Sequence, residues 1–138
     1  MLTRRTALLL PALAALSACQ RPTLYTDMTG PADAAWISAR SDGGWYGRLL
    51  GPVALVYVAI QTRDGAREMV WEINRPRTGN ELVRRVQYGV LPAGFMQTVA
   101  AQELAEDVNY ELTLASSEYN NGVLFFTVKN GLVQLSNA

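Results

Sequence analysis

For acid–base, nucleophilic or metal chemistry, the 138-residue chain offers carboxylates, arginines, hydroxyls and one cysteine, Cys19, with no histidine. That inventory removes the usual zinc ligand sets and every histidine-dependent nucleophilic triad. The best carboxylate pair is Glu68 and Glu72 in "REMVWEIN". Strand alternation aims both to one face, but four residues at about 3.4 Å each hold their Cα atoms roughly 14 Å apart. Carboxylate pairs that cleave glycosidic bonds sit about 5–9.5 Å apart, so this pair does not qualify. Neither a glycine-rich phosphate loop nor an EF-hand loop occurs. The expectation is a chain without catalytic residues, cofactor or metal.

Recognition is the chemistry that remains. In "DGGWYGR", Trp45 and Tyr46 adjoin three glycines, and an aromatic on an open loop can stack on a sugar, a peptide or a partner. Alternation sends the two rings to opposite faces. One is expected to plug the end of the domain, and the other stays open as a partner contact. Arg84-Arg85 reads as a solvated, charged edge that discourages strand pairing, in preference to a binding site.

The charge pattern bounds the partners. Residues 20–138 hold ten basic and twelve acidic side chains, a net charge of −2, so nucleic acid is not an expected partner. Eight of the ten basic residues lie between Arg40 and Arg85, and five of the twelve acids between Glu103 and Glu118. Packing of strands from distant parts of the chain is expected to mix them in space.

Cys19 is explained by what precedes it. Arg4 and Arg5 make a positive start, Ala7 to Leu16 is an apolar run of ten, and Leu16-Ser17-Ala18-Cys19 follows. The run is shorter than the roughly 20 residues that span a bilayer, and it reads as an export signal. Leu16-Ser17-Ala18-Cys19 resembles the lipobox of bacterial lipoproteins at all four positions. That resemblance implies cleavage before Cys19 and attachment of acyl chains to it, palmitate among them, and more than one chain gives stable membrane anchoring. An ordinary secretory leader with a stray thiol is the weaker alternative. Thr3 to Leu8 partly resembles a twin-arginine signal, with Ala7 where phenylalanine is usual, so ordinary secretory export remains equally open. Gln20 in place of aspartate favours the outer membrane, facing the periplasm.

The rest of the chain reads as a tether and one domain. Residues 19–35 are polar and punctuated by proline and glycine, which predicts a flexible tether after a signal peptide at 1–18. Residues 36–138 carry strand signals. "VALVYVAIQT", the turn "RDGA" and "REMVWEIN" predict a hairpin, with Met69, Trp71 and Ile73 on one face and Glu68, Val70 and Glu72 on the other. "RRVQYGV", "FMQTV", "VNYELTL" and "GVLFFTVKNGLVQL" predict further strands, the last folded at Asn130-Gly131 because both residues suit positive φ. "NELVRRV" and "AAQELAEDV" carry competing helical signals. The sum is an all-β, antiparallel, two-sheet sandwich.

"LAEDVNYELTL" places Leu104 six residues before Tyr110. This resembles the tyrosine corner of immunoglobulin-like and fibronectin type III-like domains, over about eleven residues. The resemblance implies that Tyr110 packs inward while its hydroxyl bonds backbone a few residues upstream. Glu106-Asp107 stand where that family usually has Pro-Gly, and a core tyrosine without the corner is an equal reading.

Two functions remain open: a lipid-anchored envelope module that docks a partner protein, or a small periplasmic enzyme or ligand carrier. The first is the expected one.

Overall fold

Alternation is plainest in "YELTLA", where Tyr110, Leu112 and Leu114 are buried and the residues between them are partly exposed. A computed structural model describes residues 23–41, 49, 51–76 and 82–136. Nine strands follow one another in it: β1 (Leu24–Thr29), β2 (Trp36–Ser41), β3 (Tyr57–Thr62), β4 (Met69–Asn74), β5 (Arg85–Gln87), β6 (Met96–Val99), β7 (Tyr110–Ala115), β8 (Gly122–Lys129) and β9 (Leu132–Leu135). They form a three-stranded sheet, β1-β2-β5, and a six-stranded sheet, β6-β4-β3-β7-β8-β9. Every strand pairing is antiparallel. The fold is an all-β sandwich, with the core between the two inner faces.

Most strands lie where the apolar pattern puts them. β3 buries Val58, Ala59 and Ile60 in succession, as suits a central strand. The β3–β4 hairpin forms, and Trp71 and Ile73 are buried. Val70 is buried too, contrary to its expected place with Glu68 and Glu72. The register passes from Ile60↔Trp71 to Gln61↔Met69, so Val70 is the extra residue of a bulge and drops out of the strand's alternation. Asn130 and Gly131 take φ of 53° and 73°, which turns β8 into β9.

Two expectations are corrected. Part of the stretch read as a tether, 19–35, is a strand: β1 buries Leu24, Thr26 and Met28 and pairs with β2 from Leu24↔Ser41 to Thr29↔Trp36. Its fit is tight. A Cβ built on Gly122 would come within 2.5 Å of Thr26 Cγ2 and 2.9 Å of Leu24 Cβ, so β1 packs on β8 at a distance only glycine allows. The folded domain therefore includes residues N-terminal to Trp36. The helical alternatives also fail among the described residues. Residues 82–84 are irregular before β5, and 100–109 cross one end of the sandwich without helix, turning at 106–107. Long-range backbone bonds, Gln102 N–H to Val70 O and Asp107 N–H to Val128 O, hold that crossing and override its local helical preference.

Candidate functional site

Among the described residues, the strand directions sort most connections to one of two ends. The near end, where β1 starts, gathers Thr23, residues 51–56 and 82–84, and the β7–β8 connection. Thr23 bridges Asn120 there, and the N–H groups of Val53 and Leu55 bond the carbonyls of Ala39 and Val83. The far end gathers the β1–β2, β3–β4 and β8–β9 turns, Tyr88 and residues 100–109, with the Arg63 N–H bonding the Asn109 carbonyl. There the Ala32 N–H bonds the Gly131 carbonyl.

Leu104 and Tyr110 come together at the far end, both buried. The Ala105 N–H donates to Tyr110 Oη at 2.8 Å, and the ring stacks on Phe126 with centroids 5.3 Å apart. Asp107, in the place of the family's usual glycine, takes a left-handed φ of 59°. Glu106, in the place of its proline, accepts from the N–H groups of Asn130 at 3.0 Å and Gly131 at 2.6 Å. A carboxylate thus binds two donors of the hairpin turn, a use that the sequence pattern did not suggest. Tyr88 donates to the Gln102 carbonyl and lies edge-on to Trp71. Burial, with the neighbouring Tyr110, pushes the Tyr88 hydroxyl up to about 12.

An open cleft of about 640 Å³ runs along this end, past Asp33, Tyr88, Glu103, Leu104 and Glu106. Its size suits a small ligand. Yet Glu106 already binds the turn. Among the described residues no three histidine, cysteine or acidic side chains gather to hold a metal ion.

A second polar cluster lies on the outer face of the large sheet. Tyr57 Oη donates to Glu72 Oε2 at 2.7 Å and Thr98 Oγ1 to Oε1 at 2.5 Å, which ties β3, β4 and β6 together. The Thr98 bond, then the Tyr57 bond, lowers the Glu72 pKa against the opposing effect of burial. Burial, then the Glu72 bond and charge, raises Tyr57 to about 12. A depressed carboxylate and a raised phenol are both displaced from neutrality, which does not suit proton exchange near pH 7.

The outer face of the small sheet differs in kind. Tyr25 is 67% exposed and Trp36 42% exposed. The Arg85 guanidinium sits 4.6 Å from the Trp36 ring centroid, a cation–π contact. Cross-strand pairing places Tyr25 opposite Arg40 and Trp36 opposite Gln87. Arg84-Arg85 was expected as a charged edge. Arg85 does open the edge strand β5, and Arg84 donates to the Pro52 carbonyl at 2.9 Å.

Cys19, Trp45 and Tyr46 lie outside the described residues. The sequence reading missed the Tyr25 and Trp36 pair, and one signal was available: both rings sit out of phase with the buried residues Leu24, Thr26, Met28, Ile37 and Ala39.

The charges mix only in part. Arg40, Arg75 and Arg84 lie at the near end with Glu118, whereas Asp33, Glu103, Glu106 and Asp107 lie at the far end with Lys129. Mixing does occur around the β3–β4 turn, where Arg67 meets Glu111 at 3.4 Å. No protein-family model, curated protein or solved structure matches the chain.

Proposed function

We propose that this chain is an envelope lipoprotein, held to the membrane by acyl chains on Cys19, whose sandwich binds another envelope protein without catalysing a reaction. Outer-membrane attachment facing the periplasm is the location that Gln20 favours. The observation that carries the binding role is the outer face of the small sheet, where both exposed rings lie near arginine: Trp36 against Arg85 and Tyr25 opposite Arg40. Aromatic rings and arginine are the residues that anchor protein interfaces, because each brings large contact area with few rotors or a planar donor fork. The polar clusters elsewhere among the described residues satisfy the fold's own backbone and side chains, whereas Tyr25 and Trp36 are aromatic rings left exposed to a partner.

The experiment is photo-crosslinking in intact cells, with the reactive residue placed at Tyr25 or, as a control, at Thr113 on the large sheet. A discrete protein adduct from position 25, absent from position 113 and lost in Trp36→Ala at unchanged stability, is expected. Absence of an adduct from position 25, or full rescue of a deletion strain by an untethered domain, would oppose an anchored binding module and favour a diffusible enzyme or carrier.

A further inference from the structure

We infer that the near end of the sandwich lies against an anionic lipid surface, with Arg40 and Arg84 among the headgroups and Leu82 at their boundary with the acyl chains. The inference rests on the lipid-anchor reading of Cys19 and adds an orientation to it.

Chain length carries the first step. β1 begins at Leu24, and Thr23 already bridges Asn120. Four peptide steps separate the Cα atoms of Cys19 and Thr23, at most about 14 Å of extended chain. Acyl chains on Cys19 place that residue at the hydrocarbon boundary, and each headgroup layer is roughly 5–7 Å thick. Thr23 is therefore no farther than about one Debye length, ~8 Å, from the headgroup surface. A tether of 17 residues would have left the domain free to turn; a four-step one does not.

Charge carries the second step. Among the described residues, the end that the tether leaves from bears Arg40, Arg75 and Arg84 against Glu118. Each arginine near an anionic leaflet favours attachment roughly fivefold. The acids of the far end, Asp33, Glu103, Glu106 and Asp107, are separated from it by the length of β1, five steps or about 17 Å. That adds two Debye lengths, so their repulsion is screened. The far end also holds Arg63, Arg67 and Lys129, but among the described residues acids outnumber cations there, so the sandwich is a partial charge dipole whose favourable pole is the tethered one. Leu82, 62% exposed, borders the same groove as Arg84. An apolar side chain flanked by arginine suits the interface between headgroups and chains.

The test uses the full mature lipidated protein, carrying a fluorophore on Leu82→Cys or on Glu103→Cys, in vesicles with a quencher on the headgroups. In phosphatidylethanolamine–phosphatidylglycerol vesicles, quenching at position 82 is expected to exceed that at 103 several-fold. Arg40→Glu with Arg84→Glu should abolish the difference, and Arg40→Lys with Arg84→Lys should keep it. Equal quenching at both positions, or quenching that is the same in phosphatidylcholine vesicles and after charge reversal, overturns the inference. So does a cellular protein crosslinked from position 82 in place of lipid contact. Flotation separates the two claims. Protein that floats with both labels in water refutes only the orientation, whereas protein that neither floats nor protects Cys19 from labelling refutes the anchor itself.

Discussion

The two ends of the sandwich are closed by different means. At the far end, backbone bonds such as Ala32 N–H to Gly131 O are joined by side chains that bond backbone: Tyr110 accepts the Ala105 N–H, Tyr88 donates to the Gln102 carbonyl, and Glu106 binds the turn at Asn130 and Gly131. At the near end the closure is mostly backbone to backbone, through residues 53–56, with Arg84 reaching the Pro52 carbonyl. Polar side chains at the far end satisfy the fold, while at the near end Arg40 and Leu82 face outward. The difference teaches that similar residue types serve stability or recognition according to which backbone groups lie within reach. It also gives the domain a direction, with the self-bonded end opposite the one at which β1 starts.

That contrast is open to attack at several positions. Tyr110→Ala removes a buried ring and its bond, and a loss of about 3–5 kcal/mol is expected in denaturant unfolding. Tyr110→Phe keeps the ring and leaves the Ala105 N–H unpaired, so about 1–3 kcal/mol is expected; stability equal to wild type would reduce Tyr110 to an ordinary core residue. Gly122→Ala forces a Cβ into Thr26 and Leu24. A cost of about 1–3 kcal/mol should follow in the same measurement, whereas a β1 that were only a tether would yield at no cost.

Smaller effects sharpen the comparison. Glu106→Ala should cost about 1 kcal/mol by freeing two N–H groups at an exposed turn, and Arg84→Ala at the near end should stay within about 0.5 kcal/mol. Similar costs at both ends would erase the distinction. Titration gives a further handle. Tyr57 and Tyr88 each have a hydroxyl raised to about 12 in the fold, against about 10 for an unfolded tyrosine. Between those values the unfolded chain loses protons that the folded one keeps, so stability is intact below about pH 10 and falls as pH rises toward 12. Tyr88→Phe should flatten that alkaline limb. An unchanged slope would mean that Tyr88 does not hold its proton as described.

Much of this architecture was legible in the sequence, for identifiable reasons. β7 alternates cleanly because one face is buried, and Asn130-Gly131 marks the β8–β9 turn because few other pairs accept two positive φ values. β1 escaped notice because its buried face is Leu24, Thr26 and Met28, with a threonine in the middle, and because Pro22, Gly30 and Pro31 around it read as linker. Residues 100–109 misled through local composition. Their alanines and glutamates favour helix, but the bonds that fix them go to Val70 and Val128, far away in sequence. The tyrosine-corner pattern drew attention to Leu104 and Tyr110, yet not to the role of Glu106, because a carboxylate capping a distant turn leaves no local signature. Charge separation was invisible for the same reason, since the order of residues along the chain does not give the end of the sandwich at which a loop emerges.

The account stands on the anchor, and fatty-acid labelling of the full chain expressed in a bacterial host tests it most directly. Wild-type protein is expected to incorporate labelled palmitate and to be cut before Cys19, and Cys19→Ser should lose both. Wild-type protein that carries no label would contradict the anchored reading and, with it, the membrane-facing role assigned to the near end.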